Sequence, residues 1–344
     1  MGKPSYEVRA EDTYGREHLL RKTSDGSVVE NAAGDVLIGS PVDAQSIVKR
    51  NFGRMAYGTQ ISIGIQQLLH PQIGAAVEHT GKFRNNPFGR IAVSMKPIMD
   101  VVYAEDPRQA GLYVRDLHRG ISGDDHKGRG FNALNADAFY WAQETFRWGV
   151  ENYVENYTRH GLNQAEKEQL MRENVTWYSY YGMPMTQVPA DYTNNQNYRQ
   201  DITDNLLEMT PAAKRVIDMA LDRQLPDNPH VPATANKLAQ VAMMPITDVA
   251  SVITIGELPP EIREKFGIRF GTREQLQLRI VREAIKTVES ATPKPLKFLT
   301  TYEDLRRETG GKGETLVDKA TRASLIVGRS ALETVKQNIE LLKI

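Results

Sequence analysis

The chain has no cysteine, which excludes thiolate nucleophiles, disulfides and sulfur-ligated metal centres and leaves metal and acid–base chemistry to seven histidines and the acids. His118 holds the most suggestive position. Ala110, Val114, Leu117 and Ile121 recur at helical spacing after Asp106-Pro107, and His118 lies on that apolar stripe one turn from its end. An imidazole there either has its nitrogens satisfied by backbone or ligates something. Neutral imidazole is a common metal donor, and its other nitrogen then needs a partner that fixes the tautomer. Asp116 points to another side of the helix, so a backbone carbonyl or a side chain from elsewhere is the expected partner.

Arg90 and Ser94 are four apart and share a helix face, where a guanidinium can hold an anionic group in a bidentate fork. A structural Arg reads the same way. His70 precedes Pro71 and can simply close a helix; His79 can add a polar group to a pocket. Asp124-Asp125-His126 can approach a divalent cation, but three adjacent residues do not converge on one metal from a helix, which favours a solvated loop. Glu151, Glu155 and His160 fall short of a diiron bundle, which needs Glu-x-x-His pairs on several helices. Gly310-Gly311-Lys312-Gly313 lacks the rest of a phosphate loop and reads as a surface turn. No nucleophile elbow or His-Glu-x-x-His is present.

The elements that must position these residues read as helices. Asp43 offers a cap before a helical pattern that runs to His70. Pro87 opens another helix, kinked at Pro97, with Phe88, Ile91, Ala92, Met95 and Met99 on one stripe. Asp106-Pro107 starts one running to Gly120, and Asn135 starts a long aromatic one ending at Gly161. Asn163 and Thr210-Pro211 open two more, and further caps fall at Thr272 and near Thr301 and Thr315. Phe139, Tyr140, Trp141, Phe146, Trp148, Tyr153 and Tyr157 read as core that could partly line an apolar cavity. Strand signals are scarce. The polar run Asp191–Gln200 is where a division into two parts would fall. The reading is an all-α chain: a polar N-terminal arm over 1–40, then one helical domain over 41–344.

As an ordered set, these residues carry a resemblance. His70-Pro71, His79, Phe83, Asn86-Pro87, Arg90, Ser94 in place of a usual Thr, Arg115-x-x-His118, Gly123, Asn132-Ala133-x-Asn135-x-Asp137 and Trp141 follow one another. Leu258-Pro259-Pro260-Glu261-Ile262-Arg263 and Gly267-Ile268 come later. Over about 55–290 this resembles the catalytic domain shared by latex-clearing rubber oxygenases and MpaB-type oxygenases. The resemblance implies a globin-like helical core holding haem b, with His118 as the proximal iron ligand. It also implies Arg90 and Ser94 beside the haem, His79 with them as a catalytic candidate, and Arg115 and Trp141 among the cofactor-binding residues. The chain departs from the pattern at Val93, where rubber oxygenases have Lys, and at Gln143, where many relatives have His.

Composition bounds the rest. Forty-three basic and forty-three acidic residues cancel in a chain of 344, so nothing electrostatic argues for nucleic acid or an anionic membrane. The charged N-terminus lacks an apolar core for a secretory signal, and Tyr6 stands where a myristoylation motif wants Ser or Thr. Ile61–Leu69 and Val241–Ile255 are too short and interrupted to span a bilayer. A cytoplasmic home is the expectation. The leading function is then a haem b-dependent oxygenase or peroxidase-like oxidoreductase, using dioxygen or peroxide on an apolar small molecule. Without cysteine a c-type attachment is excluded, and non-covalent haem b is the expectation. The alternatives are a haem-free binding protein enclosing a lipid or isoprenoid-like ligand, and a structural helical protein.

Overall fold

Side-chain caps decide where most of the helices begin. The computed structural model describes residues 5–11, 17–23, 28–30, 36–43, 45–57, 59–81, 87–223 and 247–291, with backbone alone for those before 39 and for 55–57, 87–93 and 96. The expected caps near Thr301 and Thr315 and the Gly310–Gly313 turn lie outside these residues. Antiparallel β1 (Ser5–Glu11) and β2 (Glu17–Thr23) set Ser5 opposite Thr23, and β3 (Val28–Glu30) pairs with β4 (Val36–Ile38). These hairpins correct the reading of the first forty residues as poor in strands. The alternation Tyr6, Val8, Ala10 was too short to stand out from sequence.

The single helix expected from Asp43 to His70 is broken. Ser46, rather than Asp43, caps α1 (Ile47–Asn51), its Oγ accepting from Lys49 N at 2.8 Å. A buried Glu173 carboxylate accepts from Ile47 N and Val48 N, satisfying donors that the first turn leaves open. A 3₁₀ turn over Phe52–Tyr57 follows, where the Tyr103 hydroxyl accepts from Gly53 N, then α2 (Gln60–Leu68) and α3 (Pro71–His79).

Next, α4 (Pro87–Tyr103) carries Pro97 inside it, and Asp106 caps α5 (Pro107–Asp116). The latter stops four residues before the expected Gly120, whose positive φ of 75° ends the turn. The short hairpin of β5 (Ser122–Asp124) and β6 (Gly130–Asn132) leads to α6 (Ala136–Tyr157), capped by Asn135. A full capping box between Asn163 and Glu166 starts α7 (Gln164–Ser179). The polar run at 191–200 is itself a helix, α8 (Tyr192–Asp201), so that stretch is no linker. It continues into a π turn, Ile202–Leu206, closed by Leu207 N to Ile202 O at 2.9 Å. Thr210 caps α9 (Pro211–Leu221) and also donates to Leu68 O at 2.7 Å. A helical run over 247–256, then α10 (Pro260–Lys265) and α11 (Thr272–Ala291), complete the described chain.

Two apolar cores form, and α6 stands between them. Tyr140, Phe146, Val150 and Tyr157 join Phe52, Val114, Trp177 and Tyr178 in the first. Trp141 joins Ile65, Leu69, Val216, Ile255, Leu258 and Ile268 in the second. Phe52, Phe146 and Trp177 meet at centroid distances of 4.7–6.0 Å, and such pairs add about 0.5–1.5 kcal/mol each beyond their burial. The protein is mostly helical, as its cap and period signals imply. Among the described residues no helix is long and apolar enough to cross a membrane.

Candidate functional site

The α4–α5 hairpin does the first work of assembly. Its helices are antiparallel and joined by residues 104–106, so positions equally far from the turn lie side by side. Ser94 and Arg115 are each about 15 Å from that turn at roughly 1.5 Å per residue. Arg90 and His118 lie one turn farther along their strands of the hairpin. Two motifs separated by twenty residues in sequence are thereby gathered at one end. The backbone of Arg90 is helical there; its side chain is outside the described set, and Ser94 is half-buried.

His118 sits just past the end of α5, half-buried, with its backbone N–H donated to Arg115 O at 2.9 Å. Its Nδ1 is 2.8 Å from Val114 O. A carbonyl only accepts, so Nδ1 carries a proton. Phe139 of α6 meets the ring edge-on at 5.5 Å, and Tyr181 meets Phe139 at 5.3 Å. Among the described residues, a hydrogen bond and an aromatic wall help to orient the imidazole.

Arg115 is buried at 7% exposure, with Nε and Nη2 each 2.9 Å from Asp116 Oδ1. Partial burial works against the Asp116 charge, but hydrogen bonds from Arg115 and Arg119 outweigh it and hold that carboxyl below its ordinary value. Two glycines let α5 approach the end of α7. A Cβ on Gly111 would collide with the Tyr180 carbonyl, and one on Gly182, at φ 63°, would stand 3.2 Å from Arg115 Nη1.

Trp141 is not in this group. It lies two positions beyond Phe139, about 200° around the helix, and faces the second core. There its Nε1 donates to Gln66 O at 3.0 Å and the Arg199 guanidinium stacks 5.5 Å from its ring. His79, the exposed last residue of α3, meets Phe131 edge-on at 5.6 Å. With Glu78, Asp124, Asp125 and His126 it lines an open cavity of about 220 Å³.

Beside that cavity Asp125, His126 and Glu208 bring ligand atoms within 4.8 Å of one another. Both carboxylates are already committed. Asp125 accepts from Lys127 N and Arg129 N at 2.8 Å and from Arg129 Nε at 2.7 Å; Glu208 accepts from Lys127 Nζ at 2.6 Å and from Arg129. Desolvation opposes the Asp125 charge, but those donors together outweigh it and bring its carboxyl down to about 2. Two cations for two anions describe a tied loop.

His70 is different again. It is the N-cap of α3, 2% exposed, and neither ring nitrogen has a hydrogen-bond partner among the described residues. Burial lowers its pKa from 6.5 to about 4, so the ring is neutral at pH 7.

Sequence reading missed a buried polar spine on α6. Arg147 Nε donates to both Glu144 oxygens at 2.9 and 2.8 Å, and its Nη1 to Glu151 at 2.6 Å. Asn195 Nδ2 of α8 donates to Glu144 at 2.9 Å, and Arg199 Nη2 to Gln66 at 3.1 Å. Gln143 donates to Asn174 at 2.8 Å. Burial opposes the Arg147 charge, but Glu144 and Glu151 outweigh it and raise its pKa; for Arg199 burial wins and lowers it. The signal was present: Glu144, Arg147 and Glu151 are spaced i, i+3, i+7 on a helix that is otherwise aromatic.

Residues 50–287 match the family described as ER-bound oxygenase mpaB/B'/Rubber oxygenase, catalytic domain. The chain belongs to this family. No curated protein and no solved structure matches it. The oxygenase-family segment spans every residue of the ordered set, from His70 through the Arg115–His118 turn to Arg263. Arg263 of α10 has a structural task in it, its Nη1 donating to Gly256 O at 2.8 Å and to Leu258 O, which closes the helical run over 247–256.

Proposed function

We propose that this oxygenase-family protein is a haem b-dependent oxygenase or peroxidase-like oxidoreductase acting on an apolar small molecule. The observation that carries the reading is the tautomer of His118. A ring that gives Nδ1–H to Val114 O is held in the tautomer that a metal-binding imidazole needs, and the backbone hydrogen bond would strengthen donation to iron. The chemistry of the donor set fits a haem. When bound, haem supplies redox-active iron that can activate dioxygen or peroxide.

The chain's own residues divide the work. His118 would hold the iron, with Val114 O and Phe139 orienting its ring. Arg115, buried and backed by Asp116, holds positive charge at the same end of the hairpin, suited to an acidic edge of the cofactor. Arg90 and Ser94 come to that end along α4, from where they would place charge and a hydroxyl near the reacting face. His79 is assigned a proton-handling part from the neighbouring cavity. Trp141 supports the site from behind, through Gln66 and the placement of α6. A cysteine-free chain supports non-covalent haem and a cytoplasmic location.

Protein purified from cells supplied with haem should show a Soret band at roughly 400 nm. Acidified acetone should release the chromophore. A chain that stays colourless after haem supplementation overturns the reading and favours a lipid- or isoprenoid-binding protein.

A further inference from the structure

The cavity beside α3 holds more ligand chemistry than a haem oxygenase uses. Glu78 and His79 reach it from the last turn of α3, and Asp124, Asp125 and His126 from the end of β5 and the turn after it. The acids differ in what already answers them. Glu78 accepts from Arg215 of α9, Asp125 is held by Arg129, and Glu208 beside the cavity is held by Lys127 and Arg129. Asp124 is the exception. Like His79 and His126, it has no hydrogen bond or ion pair among the described residues. Four carboxylates thus meet three side-chain cations, and the charge left over sits on Asp124 between two uncommitted imidazoles.

The two walls are held together without any ion. Gln72 Oε1 of α3 accepts from Asn132 N of β6 at 3.4 Å, and the His79 ring meets Phe131 edge-on. A Cβ on Gly123 would stand 3.4 Å from His79 Nδ1, so a glycine gives that ring its place against the strand carrying Asp124. Asp125 accepts from Lys127 N and Arg129 N, which fixes the turn that carries His126. Residues 124–126 do not converge on an ion by themselves; His79 adds a donor from a second segment.

We propose that His79, Asp124 and His126 bind a divalent transition cation of the zinc class. Imidazole nitrogen suits zinc and its neighbours, whereas magnesium and calcium take oxygen donors. Three protein donors leave a fourth position for water or a small ligand. The donors close on the ion only when it arrives, and both imidazoles are exposed, so their rings turn between staggered rotamers without repacking a core. The bound cation answers the Asp124 charge and ties the end of α3 to the β5–β6 hairpin. Its presence also takes His79 out of any proton-handling part.

The full chain, stripped with EDTA and titrated with zinc chloride at pH 7.5, should take up one ion with a Kd below about 50 µM, read by competition with a chromogenic chelator. His79→Ala, Asp124→Asn and His126→Ala should each weaken that binding at least about tenfold. Glu208→Gln should change it less than about threefold, since that carboxylate contributes only a screened charge. Any one of the three variants binding as the parent does overturns the donor set. A Glu208→Gln loss as large as that of Asp124→Asn puts the ion on the tied loop instead, and no saturable binding up to about 1 mM removes the site altogether. All three donors are exposed, so the variants should keep the parent's urea midpoint. Soret absorbance on the same samples separates this site from the haem: a colourless chain that binds zinc overturns the haem reading alone, and a haem-loaded chain that does not bind zinc overturns this one alone.

Discussion

The end of α5 and the interior of α6 handle polar groups in opposite ways. Inside α6, Glu144, Arg147 and Glu151 are buried together with Arg199 and Asn195, and each charge answers another. At the end of α5, buried Arg115 and half-buried His118 lie where the helix gives way to a turn, and the His118 ring bonds the backbone at Val114 O through Nδ1. Closed networks fix a fold; an imidazole set in one tautomer prepares a bond to something else. On the proposed function, the contrast gives stability to one region and ligand capture to the other.

Breaking the closed network should have the largest effect on folding. Glu144→Ala leaves two buried guanidinium groups short of their shared carboxylate, a loss of about 3–5 kcal/mol. Urea unfolding at pH 7.5 with an unchanged slope and a much lower midpoint is the expected result; a shift under about 1 kcal/mol would show that water already reaches the spine.

His70 sharpens the comparison through pH. The unfolded imidazole takes up a proton near 6.5 and the folded one only near 4. Stability is therefore whole above pH 6.5 and falls as pH drops from there towards 4, by about 3 kcal/mol in all. His70→Gln should remove that part of the slope in urea midpoints taken between pH 7 and 4.5. Parallel curves for the two proteins would mean that His70 finds a partner in solution.

His118→Ala should reverse the pattern. Most of the Soret absorbance should vanish, while the haem-free protein loses about 1 kcal/mol, the size of one hydrogen bond. Full haem with an unchanged spectrum would place the iron ligand elsewhere. The smallest effect belongs to His126→Ala. Exposed beside a loop that Asp125 and Arg129 already hold, it should change stability by less than about 0.5 kcal/mol and leave haem content alone.

What sequence could reveal follows from the range of the forces involved. Asp106, Asn135, Asn163 and Thr210 were readable as caps because each bonds a backbone N–H three residues away. The break between α1 and α2 was not, since Ser46 and Tyr103 decide it and Tyr103 comes from fifty residues downstream. Polar α8 was not legible as a helix because the partner of Asn195, Glu144, lies 51 residues earlier. At the site, the order His70, Arg90, Ser94, Arg115, His118 was legible, and so was the family. The face taken by Trp141 was not, because two cores compete for α6 and its period alone does not say which core takes which side.

The π turn at 202–206 is a one-residue insertion frozen into the path between α8 and α9. Leu207 N reaches back five residues to Ile202 O instead of four. Deleting any one residue there would return the ladder to ordinary α spacing and rotate everything after it by about 100°. Leu207 would swing out of the second core, and Glu208 would lose both Lys127 and Arg129. This short stretch therefore sets the phase of the chain's second half against its first, and its length, more than its composition, is what the fold cannot alter.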